Sequence, residues 1–328
     1  MAQISIDGSD EGFDCDTGDT VLRAALRAGH GMPYSCNVGS CGNCKFTLVN
    51  GTVDHLRQDA PAWNERDLKR NKWLGCQARP SGDCTIKFRA DPKCVPVHKP
   101  ARRTAKLASV HKITHDISEF RFTTEGAEGF LPGQYALFYV PEVEGARAYS
   151  MCNLPGEGQW AFQIKKVPGG AATTKLFNLQ PGAEFIMDGP YSTAYLREDV
   201  PRDIILMAGG SGLSPMVSIA RGAEAAGMLA DRKVYLYYGC RGEVDLIAPD
   251  RLPHPLADTI SFVAALSDAA SGAHRHGFLH DVVAADFAAT LKDHEIYFAG
   301  PAVMSAAIQK MAHAAGVPME QLHFDEFY

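Results

Sequence analysis

Residues 34–46 read YSCNVGSCGNCKF and place three cysteines, Cys36, Cys41 and Cys44, within nine residues. A cluster of thiols this dense in a short loop indicates metal binding, a disulfide framework or a redox site. A four-coordinate metal site needs one more ligand than this loop supplies. The chain must therefore provide a fourth group from elsewhere if the loop binds metal.

Three kinds of thiol site compete for this loop. Disulfides fit poorly, because the nine cysteines are an odd number and the chain begins MAQISIDGSD, without an export signal. Structural zinc is typically held by two CxxC or CxxH pairs, and the chain has one such pair, Cys41 and Cys44. The spacing C-x4-C-x2-C followed by a distant cysteine is that of plant-type [2Fe–2S] clusters. The sequence therefore predicts a [2Fe–2S] cluster, with zinc as the alternative.

Cys76, in LGCQ, is the predicted fourth ligand of the cluster. Cys84 and Cys94 are the other downstream choices, but Cys84 falls in a predicted final strand and Cys94 in a proline-rich stretch. The two glycines of the loop, Gly39 and Gly42, permit backbone conformations with positive φ that aim N–H groups at sulfur.

The sequence around the loop predicts a small sheet with one helix. QISI and a second strand near Phe13 form a predicted hairpin, and DTVLRAALRAG predicts a helix that ends at Gly29. KFTLVNGTV has alternating apolar residues and an Asn-Gly pair, which predicts a strand and a hairpin. This order resembles the β-grasp fold of plant-type ferredoxins over residues 1–93.

The composition sets limits on the whole protein. A chain of 328 residues, 46% of them hydrophobic and 21% charged, predicts a protein of two or three domains. The net charge of −6 argues against non-specific binding to nucleic acid. No apolar run approaches the roughly 20 residues needed to cross a bilayer. We expect a cytoplasmic monomer that contacts neither nucleic acid nor membrane.

A proline-containing basic stretch at residues 94–103, CVPVHKPARR, predicts a linker. Residues 104–198 follow with short strand-like runs separated by glycine and proline, which predicts a small antiparallel β-barrel. Within them, Gly169 and Gly170 lead into a predicted helix and can form an anion site suited to pyrophosphate. The same glycines also fit a simple turn.

In chain order PGQY, RAYS, VPGGAATT and DGPY are similar to the flavin-binding barrel of the ferredoxin–NADP⁺ reductase superfamily. The resemblance implies that Arg147 neutralises the flavin phosphate, Tyr149 stacks on the isoalloxazine and Ser150 hydrogen-bonds near N5. It also implies that Thr173 closes the phosphate loop formed by Gly169 and Gly170. Cys152 is interpreted as a small buried residue where relatives commonly have alanine.

Residues 199–328 predict an α/β domain with a parallel sheet. The apolar strand IILMA runs into Gly209, Gly210 and Gly212, after which Ser214 is the predicted N-cap of a helix with Pro215 at its first position. Further strands are predicted at VYLYYG, ISFVAAL and EIYFAG. Alternating strands and helices place a ligand at the carboxyl ends of the strands.

GGSGLSP and AGPAVM resemble the NAD(P)H domain of the same superfamily, which implies nucleotide contacts at the three glycines above and at Gly300 and Pro301. Most members carry a cysteine before this Gly-Pro, whereas this chain has Ala299, so we expect altered positioning of the nicotinamide. Arg241, Glu243 and Asp245 compete as contacts of the adenosine ribose. The resemblance to three-domain reductases, which usually use NADH, implies NADH rather than NADPH.

The chain ends LHFDEFY, which predicts a last strand with a frayed tip. The superfamily resemblance implies instead that the terminal side chains cover the flavin face that nicotinamide must reach. Glu326 and Tyr328 would then lie beside the ring near Ser150 and act with it as catalytic residues.

The three segments together predict one electron path. NAD(P)H delivers two electrons as hydride, a [2Fe–2S] cluster accepts one, and a flavin can do both, so FAD belongs between them. The layout resembles the NADH reductase components of bacterial multicomponent oxygenases, most closely those of toluene and alkene diiron monooxygenases that act in hydrocarbon catabolism. Reductases of Rieske dioxygenases or of biosynthetic deoxygenation enzymes, and an iron–sulfur redox sensor, stay open as alternatives.

The expected electron acceptor is an oxygenase component or an intermediate ferredoxin. The first 20 residues hold six acidic and no basic side chains, whereas four basic residues precede Cys76: Arg66, Lys69, Arg70 and Lys72. Such charges can orient a docking partner, and they are equally typical of a solvated surface.

Overall fold

The computed structural model describes residues 1–126, 129–247, 259–268 and 274–327. The chain forms two compact units. One comprises Met1–Arg103, Ala136–Ala148 and Ile186–Thr193, and the other Thr104–Tyr135, Tyr149–Phe185 and Ala194–Tyr328. Among the helices described, none has both the length and the apolar character that a membrane span requires. The domain boundaries predicted at residues 93, 103 and 198 stay predictions.

The first 103 residues form a mixed sheet crossed by one helix. Their elements, in chain order, are β1 (Ala2–Ile6), β2 (Gly12–Cys15), α1 (Val21–Ala28), β3 (Lys45–Asn50), β4 (Val53–His55), α2 (Glu65–Leu68), β5 (Lys72–Leu74), β6 (Ala78–Pro80) and β7 (Cys84–Lys87). The five-stranded sheet has the order β2-β1-β7-β3-β5, and β4 pairs with β6. β1 runs parallel to β7 and antiparallel to β2, so the predicted first hairpin is confirmed.

Two local predictions in this unit meet different outcomes. Helix α1 ends as predicted, because Gly29 adopts φ 95° and its N–H bonds the carbonyls of Ala25 and Leu26. The hairpin predicted at the Asn-Gly pair after β3 is wrong. Both edges of β3 are already occupied, by β5 and by β7, so β4 pairs with β6 instead.

A buried ion network joins helix α1 to a later strand within the same unit. Arg27 donates to both carboxylate oxygens of Asp188, at 3.1 and 2.7 Å, and lies 3.2 Å from Asp19. Arg102 contacts the same two carboxylates at 3.1 and 3.7 Å, and the Tyr191 hydroxyl donates to Asp188 at 3.0 Å. Asp19 and Asp188 are 2% and 0% exposed. Each buried carboxylate is therefore compensated by two arginines.

The middle of the chain forms an antiparallel, barrel-like sheet, as predicted. Its elements are β8 (Ala101–Lys112), β9 (Ile117–Thr124), β10 (Tyr135–Tyr139), β11 (Arg147–Ser150), β12 (Trp160–Lys165), α3 (Ala171–Leu176) and β13 (Glu184–Tyr191), and the strand order is β11-β10-β13-β8-β9-β12. Met151, directly after β11, forms an isolated antiparallel bridge with Phe162 of β12. This bridge brings the two edge strands of the sheet together.

The last third forms a six-stranded parallel sheet with helices on both faces, as predicted. Its elements are β14 (Ile204–Gly209), α4 (Leu213–Ala225), β15 (Val234–Cys240), β16 (Ser261–Leu266), β17 (Arg275–His276), α5 (Leu279–Phe287), β18 (Glu295–Pro301), α6 (Ala302–Ala314) and β19 (Leu322–Phe327). The order is β17-β16-β15-β14-β18-β19. Alternate residues of β14 face the two cores: Ile204 and Leu206 pack with α4, and Ile205 and Met207 pack with α5 and α6.

We expect Asp188→Asn to lower the free energy of unfolding of this unit by about 3 kcal/mol, because it removes a fully buried carboxylate and leaves two arginines to share Asp19. Urea unfolding followed by the fluorescence of Trp63 and Trp73 measures the loss. Glu184→Gln is the matched control, because Glu184 pairs with Lys106 at 3.4 Å while both side chains are more than half exposed. The control should cost less than about 1 kcal/mol. Equal effects of the two variants would contradict this role for the network.

Candidate metal centre and cofactor sites

The structure brings the four predicted cluster ligands together as two pairs. Cys36, Cys41 and Cys44 lie in the irregular loop between α1 and β3, and Cys76 follows β5. The thiol of Cys36 interacts with that of Cys41, and the thiol of Cys44 interacts with that of Cys76. Three of the four side chains are buried, and Cys41 is half-buried. Cys41 is therefore the most accessible of the four residues.

Backbone conformation aims donors at the first of these sulfurs. The N–H groups of Ser40 and Cys41 each donate to Cys36 Sγ at 3.3 Å. Gly39 and Gly42 have φ 90° and 82°, so both glycines adopt the left-handed conformation expected of them. A Cβ on Gly39 would lie 3.2 Å from the side chains of Ala60 and Gln77. The loop therefore has little room for a larger residue there.

The thiols of each pair have opposite pKa shifts. The hydrogen bond from Cys41 lowers the pKa of Cys36 to about 5, and the same bond together with burial raises the pKa of Cys41. The hydrogen bond from Cys44 lowers the pKa of Cys76, while the pKa of Cys44 is raised. One sulfur of each pair is thus stabilised as a thiolate, the form that binds metal.

The arrangement fits a two-iron cluster better than a single zinc ion. A tetrahedral zinc site holds four sulfurs about 3.8 Å apart, given Zn–S bonds of about 2.3 Å. Within the described residues, only His115, Asp116 and Asp245 offer three metal-ligating atoms all within 4.8 Å of one another, so no three of the cysteine sulfurs are that close. Two contacting pairs suit two irons, each bound by two cysteines.

The alternative ligands Cys84 and Cys94 lie elsewhere. Cys84 begins β7, where its Cβ would contact a Cβ placed on Gly51, and Cys94 ends a short 3-10 helix, Pro92–Cys94. Burial raises the pKa of Cys84 to about 11 and also raises the pKa of Cys94. Both stay protonated thiols at neutral pH. Neither thiol has the hydrogen-bonded pairing that Cys76 shows.

The predicted flavin residues occupy the end of β11 and the loop before α3. Arg147 is exposed, and its Nη1 donates to the carbonyls of Glu144 and Ala146 at 3.1 Å. Tyr149 is half-buried and Ser150 is 5% exposed. The Ser150 carbonyl accepts a hydrogen bond from the hydroxyl of Ser214, which fixes the end of the strand.

The glycine loop before α3 is shaped by Thr173. Its hydroxyl accepts from the N–H of Val167 at 3.1 Å and lies within hydrogen-bond distance of the carbonyls of Val167 and Gly170. A Cβ on Gly170 would approach this hydroxyl to 2.8 Å, whereas Gly169, with φ 71°, has no other atom within 4 Å of its Cβ position. The loop is thus tight on its inner side and open above Gly169, as a backbone cradle for phosphate requires.

The glycines of the nucleotide domain meet at one edge of the parallel sheet. β14 and β18 are neighbours, with Ala208 opposite Ala299, so Gly209 and Gly300 leave adjacent strand ends. A Cβ on Gly212 would lie 1.9 Å from the carbonyl oxygen of Ala299. Only glycine allows this approach of the turn to β18. Ala299 is fully buried, in the core formed with α4.

The prediction for the start of α4 is wrong by two positions. The helix begins at Leu213 with Gly212 as its N-cap, not at Ser214. The Ser214 hydroxyl instead accepts from the N–H of Gln163 at 3.1 Å and donates to the Ser150 carbonyl at 2.6 Å. Its competing partners on strands β11 and β12 explain why it does not cap the helix.

The candidate ribose contacts form a charged cluster after β15. Asp245 is 6% exposed and lies 3.6 Å from the exposed Arg241, and its carbonyl accepts from the Tyr238 hydroxyl. Asp245 also lies 3.9 Å from His115. The third candidate, Glu243, is exposed at the surface of the same turn. Arg241 and Glu243 are thus more accessible to a ligand than the Asp245 carboxylate.

The C-terminal strand places its last described residues beside the glycine edge. β19 runs parallel to β18, with Glu326 opposite Gly300 and Phe327 opposite Pro301. Glu326 accepts hydrogen bonds from Ser305 at 2.8 Å and Gln309 at 3.1 Å, both in α6. Tyr328 lies outside the described residues. The carboxylate of Glu326 is therefore held at the nucleotide edge of the sheet.

The sequence analysis missed the two inward-turned arginines of α1, of which Arg23 is buried and Arg27 half-buried, and the linking role of Ser214. Arg23 and Arg27 stand four residues apart on an otherwise apolar helix, and both side chains turn inward to polar partners. Their spacing was a usable signal, because two charges on the apolar face of a predicted helix require buried counterparts. No comparable local signal marked Ser214.

Three family models match successive parts of the chain. The 2Fe-2S iron-sulfur cluster binding domain matches residues 4–81, the oxidoreductase FAD-binding domain residues 104–195, and the oxidoreductase NAD-binding domain residues 206–310. The three predicted cofactors, a [2Fe–2S] cluster, FAD and a nicotinamide nucleotide, are thereby confirmed as classes.

Similar proteins cover the whole chain. The ferredoxin--NAD(P)(+) reductase CarAd of Metapseudomonas resinovorans is 37% identical and aligns over 100% of both chains. The ferredoxin--NAD(+) reductase component of the alkene monooxygenase system of Xanthobacter autotrophicus is 36% identical, over 96% of this chain and 97% of its own. The solved structure of a ferredoxin reductase in carbazole 1,9a-dioxygenase has a TM-score of 0.92 at 35% identity, covering 100% of this chain and 98% of its own.

We expect Cys76→Ser to lose nearly all cluster iron while keeping flavin, because it removes the partner of the Cys44 thiol. Iron and acid-labile sulfide content and visible circular dichroism measure the loss. Cys84→Ser is the matched control and should keep full iron. Full iron in the Cys76 variant, or its loss in the control, would refute the ligand assignment.

Proposed function

The chain belongs to the ferredoxin–NAD(P)⁺ reductases of oxygenase systems, and on this premise we propose that it carries electrons from NADH to an oxygenase component. The full-length similarity to such reductases is the observation that carries the proposal. The protein is a flavin iron–sulfur oxidoreductase with sites for FAD, a [2Fe–2S] cluster and NAD(P)H. We place it in the cytoplasm as a monomer, where its nine free cysteines stay reduced.

The cofactors supply the electron chemistry when bound: hydride arrives as two electrons, and the flavin passes them singly to the cluster. The residues of the chain bind, orient and shield. We propose Cys36, Cys41, Cys44 and Cys76 as the cluster ligands. The contact of the thiols in two pairs supports this assignment.

For the flavin we propose that Arg147 binds the phosphate, Tyr149 stacks on the ring and Ser150 hydrogen-bonds near N5. The exposure of the Arg147 guanidinium and the fixed backbone of Ser150 support these roles. Gly169, Gly170 and Thr173 would hold pyrophosphate through backbone N–H groups, with the hydroxyl of Thr173 ordering the loop.

For the nucleotide we propose that Gly209, Gly210, Gly212, Gly300 and Pro301 form the binding edge. Two glycine turns on adjacent strand ends support this placement. Glu326 and Tyr328 are proposed to lie near the nicotinamide, and the position of Glu326 opposite Gly300 is consistent with it. NADH is the proposed donor, with the exposed Glu243 supplying an acceptor for ribose hydroxyls.

The class of oxygenase that accepts the electrons is the most specific part of the proposal. A diiron monooxygenase acting on aromatic or alkene substrates is proposed from the RAYS, GGSG and HFDEFY motifs. The alkene monooxygenase reductase at 36% identity supports it. A ring-hydroxylating dioxygenase is the second candidate, because the structure with TM-score 0.92 serves carbazole 1,9a-dioxygenase. Reconstitution with a diiron hydroxylase and, separately, with a ring-hydroxylating dioxygenase component distinguishes the two.

Anaerobic titration with NADH tests the electron path. We expect bleaching of the flavin, an electron paramagnetic resonance signal of a reduced [2Fe–2S] cluster, and uptake of about three electrons per chain, two on flavin and one on the cluster. NADPH run in parallel should require a higher concentration. In Cys76→Ser the flavin should still bleach while the cluster signal is absent. A protein that NADH leaves oxidised would overturn the proposed function.

A basic surface next to the cluster loop is proposed as the docking site of an acidic acceptor. Cys41 is the half-exposed proposed ligand, and Gly42 follows it in the chain. The side chain of Lys45 lies beside Gly42, so a positive charge lies close to the cluster loop. A groove of about 310 Å³ opens here and is lined by four cations, Lys45, Lys72, Lys87 and Arg89. Arg66, Lys69 and Arg70 are exposed nearby in sequence, on and after α2. Such a surface on a chain of net charge −6 favours an acidic partner.

Charge reversal at Lys69 and Arg70, to Glu in both, should slow reduction of the acidic acceptor cytochrome b5 about fivefold at low salt. Reduction of the basic acceptor cytochrome c should be unchanged or faster. High salt should remove the difference, because screening weakens exposed charges. The matched control reverses Lys292 and Lys310, two exposed lysines of the nucleotide domain. Equal slowing with both cytochromes, or in the control, would argue against docking here.

A further inference from the structure

Arg23 is a buried cation bonded to neutral groups. It lies in α1 with 4% of its surface exposed. Its Nε donates to Asn37 Oδ1 and its Nη2 to the Asn37 carbonyl, both at 3.2 Å. Its Nη1 donates to the Tyr139 hydroxyl of β10 at 2.7 Å. A buried guanidinium is costly unless an anion compensates it.

The nearby carboxylates are already engaged elsewhere. Asp188 is close enough to interact with Arg23, but its oxygens accept hydrogen bonds from Arg27 and Tyr191. Asp19 pairs with Arg27 and Arg102. The cysteine loop also lies beside Arg23, because its bonding partner Asn37 follows Cys36, and Cys76 interacts with the guanidinium electrostatically.

Asn37 connects the guanidinium directly to the cysteine loop. It follows Cys36, is 1% exposed and has φ 56°, a left-handed conformation that a non-glycine residue rarely adopts. Arg23 holds both the side-chain and the main-chain oxygen of Asn37. Among the described residues, nothing accepts from Asn37 Nδ2, a buried donor in the loop. Arg23 thus fixes the backbone beside one ligand and places its charge near another.

We propose that Arg23 is a positioning residue that raises the reduction potential of the cluster. The inference rests on the proposed cysteine ligands and goes beyond the proposed electron path. Reduction brings one electron from the flavin to the cluster, and no bond forms or breaks. The added negative charge is stabilised by a fixed positive charge in a low-dielectric site. The reduced form is therefore favoured, and electrons pass from the flavin to the cluster more completely.

Redox titration of the holoprotein, monitored by electron paramagnetic resonance of the cluster, tests the proposal. In Arg23→Gln, which keeps a donor but no charge, the one-electron equilibrium should shift at least tenfold toward the oxidised cluster, about 59 mV. Arg23→Met should shift it in the same direction. Arg23→Lys, which keeps the charge, should remain within threefold of the parent. Lys292→Met removes an exposed charge of the nucleotide domain and is the control that should not change the potential.

The outcomes distinguish an effect of the Arg23 charge on the reduction potential from a purely structural role of its side chain. An unchanged potential in Arg23→Gln and Arg23→Met with full iron content would overturn the proposal. Loss of cluster from both, with retention in Arg23→Lys, would assign the charge to assembly and would also overturn it. A parent protein without a cluster signal would instead defeat the ligand set and the proposed function. Reduction of the flavin by NADH should stay unchanged in every Arg23 variant.

Discussion

The buried pairing of Arg27 with Asp188 is the constraint on which the first unit depends. A carboxylate without exposure is tolerable only when its charge is matched, and here two arginines and a tyrosine hydroxyl converge on it. The arginine belongs to the helix that carries Arg23 toward the cysteine loop, and the aspartate to strand β13 of the barrel-like sheet. Cluster loop and strand are therefore held by one polar core, and not by apolar contact alone.

A second set of hydrogen bonds ties the barrel strands to the nucleotide-binding helix inside the other unit. The hydroxyls of Ser214 and Ser218 donate to the carbonyls of Ser150 and Asn153, at 2.6 and 2.8 Å. All four groups are buried, so solvent competes little with these bonds. The strand that carries the proposed flavin contacts is thus fixed to the first turns of α4. A fixed strand of this kind suits the orientation of a bound cofactor, which is the protein's part in such chemistry.

Local sequence signals were sufficient wherever the chemistry was local. The glycine at the end of α1 and the alternating strands of the parallel sheet each follow from neighbouring residues, and the structure has them as predicted. The partner of β4 and the start of α4 could not be predicted this way. β3 cannot pair with β4 because β5 and β7 already pair with its two edges. The hydroxyl of Ser214 does not cap α4 because it accepts a hydrogen bond from Gln163, about 50 residues earlier in the chain. Both errors come from partners distant in sequence.

The roles of Arg147, Glu326 and Tyr328 depend on bound groups, so they stay proposals.

The first unit is built from three separate segments of the chain, which limits where its ferredoxin-like part can be exchanged in a chimera. It includes Ala136–Ala148 and Ile186–Thr193 as well as the ferredoxin-like residues, because α1 is bonded to Tyr139 and Asp188 from those segments. In a chimera joined at residue 103, the foreign helix would pack against Asp188 without the arginine that compensates this buried carboxylate here. We therefore expect the ferredoxin-like residues of this chain to keep their stability in a chimera only if Tyr139 and Asp188 are transferred with them.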